Sequence, residues 1–130
     1  MSLSESASSP KAQIAQVIPV LPAADVAAAA AFYIEKLGFT LRFHWGGSTV
    51  TYAGIYRDGH EIHLSHCDNP EIANQTMLRF SLSQGMVDLL FAEFRGRGVP
   101  AGAPEVKPWG TREFAIRDPS GVCITFGEAA

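Results

Sequence analysis

One order of elements runs through this 130-residue chain twice. An apolar run, Val17-Ile18-Pro19-Val20-Leu21, predicts a strand, with Pro19 suited to a sheet edge. A helical stretch follows from Val26 to Lys36, with Asp25 as its N-cap and Gly38 as its stop. Its apolar face is Val26, Ala30, Tyr33 and Leu37. Three β-rich segments come next: Phe39 to Trp45, Thr49 to Arg57 and His60 to His66, the last two joined by an Asp58-Gly59 turn. The second half returns to the same order. Met77 to Leu82 predicts a strand, and Met86 to Arg95 a helix with Met86, Leu90 and Phe94 on one face. A loop with Pro100 and Pro104 leads to strands at Thr111 to Ile116 and Val122 to Phe126. Gly38 and Gly98, Ile34 and Phe94, and Arg57-Asp58 and Arg117-Asp118 all stand 60 positions apart.

A repeat of this kind narrows the fold. A βαβββ module of ~50 residues cannot bury both faces of its sheet alone. Two modules together give an α+β fold: a curved mixed sheet, helices on its outer face, and a concave cup that can take a ligand. The predicted domain covers residues 12–128, with modules at about 14–67 and 75–127. Residues 1–11 are Ser-rich and read as a disordered tail, without the basic and apolar runs of a secretory leader. Hydrophobic residues make up 47% and charged residues 18%, which suits a packed core. Ten Lys+Arg against thirteen Asp+Glu leave a net −3, so no basic face is expected for nucleic acid or anionic membrane. The longest apolar stretch, Val26 to Ile34, is too short to span a bilayer. Cys67 and Cys123 form no framework and read as reduced thiols of a cytoplasmic protein.

Val17-Ile18-Pro19-Val20-Leu21-Pro22 with Asp25-Val26, Phe32-Tyr33 and Leu37-Gly38-Phe39 resembles the opening of the vicinal oxygen chelate superfamily. That superfamily holds glyoxalase I, fosfomycin resistance proteins, extradiol dioxygenases and bleomycin resistance proteins. Pro108-Trp109-Gly110-Thr111-Arg112-Glu113-Phe114 and Arg117-Asp118-Pro119-Ser120-Gly121 resemble the bleomycin resistance protein branch. The resemblance runs over about residues 14–128.

Enzymes of the superfamily hold a divalent metal in the cup, and the resemblance maps its four ligand positions to Ile18, His63, Met77 and Thr125. Only His63 is a competent donor, so no metal and no cofactor is expected. Glyoxalase and dioxygenase chemistry depends on a metal-bound oxygen and is disfavoured with it. The segment His60-Glu61-Ile62-His63-Leu64-Ser65-His66 leaves three readings open. Strand alternation puts Glu61, His63 and Ser65 on one face. His63 is then a cavity histidine bonded to a neighbour, an acid–base pair with Glu61, or half of a displaced metal site. The pattern supplies no nucleophile or oxyanion hole, and no catalytic residue is assigned.

The expected ligand-binding residues are Tyr52, His63, Ser65 and Trp109, with Phe43 and Trp45 near the mouth. Tyr52 and Trp109 match ligand-contacting aromatics of the bleomycin resistance proteins, and Ser65 a polar pocket position. Aromatic faces suit a flat, conjugated ligand. Arg42 stands where those proteins carry an acidic residue, which weakens attraction for a cationic antibiotic. The resemblance also implies a homodimer with clefts between subunits. The function expected is therefore non-catalytic: sequestration of a small aromatic molecule, bleomycin-type antibiotics included. The alternative is a glyoxalase- or dioxygenase-type enzyme with a non-standard metal at Glu61 and His63.

Overall fold

Asp25 starts the first helix: its carboxylate accepts from the Ala28 N–H at 3.0 Å. Gly38, in the left-handed region at φ 74°, ends it. Between them α1 (Val26–Leu37) buries Val26, Ala29, Ala30, Tyr33 and Leu37. The computed structural model describes residues 9–130, and residues 1–8 of the expected tail lie outside the described residues. Residues 10–19 belong to no helix or strand.

The first module's strands are β1 (Val20–Ala23), β2 (Thr40–Gly46), β3 (Val50–Arg57) and β4 (His60–His66), in sheet order β1-β4-β3-β2. The second module's are β5 (Met77–Ser81), β6 (Glu105–Val106), β7 (Thr111–Arg117) and β8 (Cys123–Ala129), in order β5-β8-β7-β6. In each sheet the first strand lies parallel to the last and the other pairs are antiparallel. The α+β repeat is therefore present, and the eight strands among the described residues are divided between two four-stranded sheets rather than one continuous sheet. Alternation along each strand sends one set of side chains to the core. Leu21, Ala53, Ile55, Ile62 and Leu64 are buried in the first sheet, with α1 lying against β3. Phe114, Ile116, Ile124 and Phe126 are buried in the second, with α3 (Met86–Gly96) against β7 and β8.

Several elements depart from the sequence pattern. Strand β1 begins at Val20, three residues into the apolar run. Pro19 has no N–H to give, and only its carbonyl is used, accepting from His63 at 2.9 Å. Pro22 is tolerated within β1 because that strand lies at the sheet edge. In α3 the inward residue of the first turn is Val87, and Met86 is exposed. The N-cap of α3 is Gly85, which has no side chain to offer. Glu128 of β8 takes its place, accepting from Gly85 N at 2.5 Å and Val87 N at 2.8 Å. A short helix α2 (Pro70–Gln75) lies between the two modules, where the sequence pattern assigns no element. Asn69 caps it through Glu71 N, and Pro70 opens it. The two-residue β6 lies in the loop after Pro104.

The modules are tied together by a matched pair of contacts. The Tyr33 hydroxyl of α1 donates to Asp118 Oδ2 at 2.7 Å, in the β7–β8 turn. The other oxygen of Asp118 accepts from the Ser120 and Val122 amides, so one buried carboxylate organises the turn and anchors the helix. Across the repeat, Glu93 of α3 takes both arms of Arg57, at 2.6 and 3.0 Å, at the start of the β3–β4 turn. Tyr33 and Glu93 stand 60 positions apart, as do Arg57-Asp58 and Arg117-Asp118. Each helix thus grips the other module's turn. Burial, and then Asp118 beside it, pushes the Tyr33 phenol far above its usual range, so it remains a neutral donor. The Arg57 hydrogen bonds hold the Glu93 carboxyl below its ordinary value. Between these ties, Tyr33, Phe39, Phe80 and Phe126 form a run of rings with centroids 5.2–6.3 Å apart that passes from one module to the other. No helix among the described residues is long and apolar enough to cross a membrane.

Replacing Tyr33 by Phe keeps the ring in this run and removes only the hydroxyl. The expected loss is about 1.5–3 kcal/mol, since Asp118 loses a buried charge-assisted bond. Urea unfolding is the check: the midpoint should fall with an unchanged slope. A loss below about 0.5 kcal/mol would show that the tie does not hold the modules together.

Candidate functional site

With Ile55, Ile62 and Leu64 committed to the core, the alternate residues of β3 and β4 face away from α1. Register lays them out in rows. Trp45, Tyr52, Ser65 and Pro22 lie side by side across β2, β3, β4 and β1. Phe43, Gly54, His63 and Val20 form the next row. Five of the six expected binding residues, Phe43, Trp45, Tyr52, His63 and Ser65, are brought together here. Trp45 is 71% exposed. At the strand ends Phe43, Trp45, Tyr52 and Ser65 border a shallow open groove of ≈ 550 Å³, lined also by His44, Thr51 and His66.

The aromatic rings are set by the backbone beneath them. The Phe43 ring lies directly over Gly54, where a Cβ would come within 2.3 Å of it. From that seat Phe43 stacks on Tyr52, 6.1 Å between centroids and 18° between planes, and meets His63 edge-on at 5.1 Å. A register shift between Leu41 and Phe43 leaves Arg42 as the extra residue of a bulge. The bulge lets two consecutive residues serve one face, since Arg42 reaches Glu61 while Phe43 stacks on Tyr52.

The polar groups form a chain. Arg42 Nε lies 3.1 Å from Glu61 Oε1, Glu61 Oε2 lies 2.5 Å from His63 Nε2, and His63 Nδ1 lies 2.6 Å from the Tyr52 hydroxyl. Of the three readings of this segment, the arrangement is that of a histidine bonded on both nitrogens, with Glu61 as its acidic partner. His60 and His66 sit exposed at the strand ends, and His66 lies 3.2 Å from Asp68.

Trp109 stands apart from this cluster. It sits in the β6–β7 turn of the second module, 66% exposed, where Lys107 N–H donates to the Thr111 carbonyl and Gly110 takes φ 90°. Beside it lies a second buried carboxylate, Glu113, which accepts from Thr111 Oγ1 and Arg79 Nη2, both at 2.8 Å. Burial raises the Glu113 carboxyl, but the bonds from Thr111 and Arg79, the Arg79 charge and the Trp109 indole outweigh it and leave it below the usual range. Arg79 crosses Gly127 to reach Glu113, and a Cβ there would meet the guanidinium at 2.6 Å. Sequence reading missed this pair. Arg79 and Glu113 are 34 positions apart on strands that do not touch, and Gly127 between them was the available signal.

The four positions mapped to metal ligands do not suit a metal. Ile18 and Met77 bring no hard donor, and Thr125 has the cationic Arg79 as its register partner. Both nitrogens of His63 are engaged by Glu61 and Tyr52. A metal at Glu61 and His63 would have to displace Arg42. Among the described residues no three His, Cys, Asp or Glu side chains lie close enough to hold a metal ion.

The comparisons with known proteins agree with this architecture. The model of the Glyoxalase/Bleomycin resistance protein/Dioxygenase superfamily matches residues 13–126. Bleomycin resistance proteins of Geobacillus stearothermophilus and Staphylococcus aureus are 29% identical over 130 residues, covering 85% of this chain and 94% of theirs. The bleomycin-binding protein of the producer Streptomyces verticillus, solved with copper(II)-bleomycin, is 29% identical with a TM-score of 0.75, covering 92% of this chain and 99% of that one. An antibiotic-binding protein from Streptomyces sp. CB03234 is 26% identical with a TM-score of 0.71, covering 92% of this chain and 100% of its own. On its fold, its repeat and this match, the chain belongs to the glyoxalase/bleomycin resistance protein/dioxygenase superfamily.

Proposed function

We propose that this protein binds a flat aromatic small molecule and acts by sequestering it, with bleomycin-type antibiotics among its ligands. The observation that carries this reading is the open aromatic face of Trp45, Phe43 and Tyr52, laid on a rigid sheet. Stacking on such rings adds about 0.5–1.5 kcal/mol per pair beyond burial. The relatives support the same reading, since those named above are bleomycin resistance, bleomycin-binding and antibiotic-binding proteins. The acidic groups of the two open faces each have a basic partner, Glu61 with Arg42, Glu113 with Arg79 and Glu105, beside Glu113 in register, with Lys107. Attraction of a polycation by charge is therefore small, and ring contacts carry the affinity. The donor set at the mapped positions favours binding over the metal-dependent lyase or oxygenase reading.

In this reading the protein works as a cytoplasmic homodimer, and Trp109 of one copy completes the aromatic face of the other. Support comes from edge strand β2, exposed along its whole length, and from Met77 and Trp109, left exposed on the second module. Neither face alone encloses a ligand, and a second copy turns two open faces into one cleft.

Both tryptophans of the chain belong to the proposed cleft, so intrinsic fluorescence reports on it. Titration with metal-free bleomycin should quench it saturably. Gly54→Ala, which drives the Phe43 ring off its seat, should weaken binding by about tenfold or more. Binding by this variant at wild-type affinity would remove Phe43 and Tyr52 from the site. A second expectation concerns metal. Prior dialysis of the protein against EDTA should leave the affinity unchanged. Loss of binding on dialysis, restored by a divalent ion, would favour the enzyme reading.

A further inference from the structure

We propose that the second module carries a site for small organic carboxylates, in a groove along the free edge of β7 and apart from the aromatic face. The repeat shows how the groove arises. In the first module the chain leaves Gly38 and soon enters β2, where Thr40 lies opposite Tyr56 and Leu41 opposite Ile55. Sixty positions on, the equivalent pairs would be Pro100 with Ile116 and Ala101 with Ala115. They are not made. Strand β6 pairs with β7 only at Arg112 and Glu113, and Pro100 has no N–H to give to a neighbouring strand. From Phe114 to Arg117, β7 has β8 as its only strand partner among the described residues. A groove of ≈ 840 Å³ lies along this edge, lined by residues 98–102 and 115–117 together with Arg95 and Cys123.

The charge of this groove is one-sided. The chain has thirteen acidic residues against ten basic ones, yet the groove is lined by two arginines and no carboxylate. Arg95 and Arg117 are both exposed, and neither is paired with a carboxylate among the described residues. The other five arginines all are. The acids on the surrounding elements are engaged elsewhere. Arg57 holds Glu93 of α3, Arg112 holds Asp88, and Lys107 holds Glu105 of β6. Asp118, next to Arg117, is taken by Tyr33 and the turn amides. The Arg95 guanidinium lies 5.6 Å from the Phe91 ring centre, and Arg117 Nη1 donates to the Gly121 carbonyl at 2.6 Å. Each guanidinium keeps further N–H donors, in the planar fork that fits a carboxylate. Between them Val99, Pro100, Ala101 and Ala115 offer apolar surface. A carboxylate on a compact apolar body satisfies both the charge and this surface, whereas a bare inorganic anion uses the charge alone.

Cys123, in the groove lining, serves as the reporter in the full chain carrying Cys67→Ser. Two methanethiosulfonates of similar size are compared, one ending in a sulfonate and one in a trimethylammonium group. Each rate is divided by the same reagent's rate with free mercaptoethanol. The same thiolate attacks both reagents, so the ratio between them reads the surroundings of the thiol and not its ionisation. The sulfonate reagent should be favoured at Cys123 by about tenfold. Adding Arg95→Gln and Arg117→Gln, or about 1 M NaCl, should return the ratio to that of the free thiol. A ratio equal to the free thiol's before these changes, or a preference that survives the double substitution, would overturn the proposal. Occupancy is read with a neutral reagent, methyl methanethiosulfonate. Benzoate should slow its reaction at Cys123 saturably, and the neutral isostere benzamide should not. Equal protection by the two, or protection by neither, would overturn the proposal. So would a Cys123 thiol that none of the reagents reaches, since the groove must stand open in solution. The aromatic face lies on the other module, and none of these outcomes bears on the reading proposed for it.

Discussion

Neither half of this chain can bury its own sheet, and the structure depends on how the two halves hold each other. Tyr33 reaches from the first helix to Asp118 in the second module's turn, and Glu93 reaches from the second helix to Arg57 at the first module's turn. The two ties start from equivalent helix positions and end on neighbouring positions of the equivalent turns. Their chemistry has diverged, a phenol on a buried carboxylate in one and a two-armed ion pair in the other. The run of rings from Tyr33 through Phe39 and Phe80 to Phe126 fills the space between them. Opening the first tie would leave a buried carboxylate short of a bond, which makes this junction costly to part.

The junction has a consequence at the opposite faces. Each sheet spends its inner side on a helix and on the junction, and keeps its outer side open. On the first module that side carries Trp45, Phe43 and Tyr52, and under them the chain from Arg42 to Tyr52. On the second it carries Trp109 with Arg79 and Glu113. The two faces share one electrostatic plan, a carboxylate matched by an arginine reaching it along the sheet. In the reading proposed here such a surface discriminates by shape more than by charge.

Much of the fold was legible in the sequence, because local rules governed it. Asp25 and Gly38 bound the first helix, the Asp58-Gly59 turn joins β3 to β4, and alternation from His60 to His66 sorted core from open face. The 60-residue offset showed the repeat before any contact was known. What stayed hidden was set by residues distant in sequence. Glu128 caps a helix that begins more than 40 positions earlier, and Arg79 finds Glu113 only across β8. The bulge at Arg42 is a register event between two strands, and nothing in Leu41-Arg42-Phe43 announces it. Asn69-Pro70 is a cap and first-turn signal for α2, but six residues are too few to show a periodic apolar face. For the site, alternation put Glu61, His63 and Ser65 on one face, the resemblance added Tyr52, and the register sets Tyr52 beside Ser65. Alternation could not tell that Trp109 lies in the other module's turn, away from them.

That separation points to the most direct measurement. Trp45 and Trp109 sit on different modules, and the proposed cleft joins them across two copies of the chain. Trp45→Ala and Trp109→Ala proteins should each fail to bind metal-free bleomycin when tested alone. Unfolded together and refolded as a mixture, they should recover about one quarter of the wild-type binding sites, because half of randomly paired dimers carry one intact cleft of two. No recovery from a mixture shown to contain hybrid dimers would contradict a cleft shared between copies.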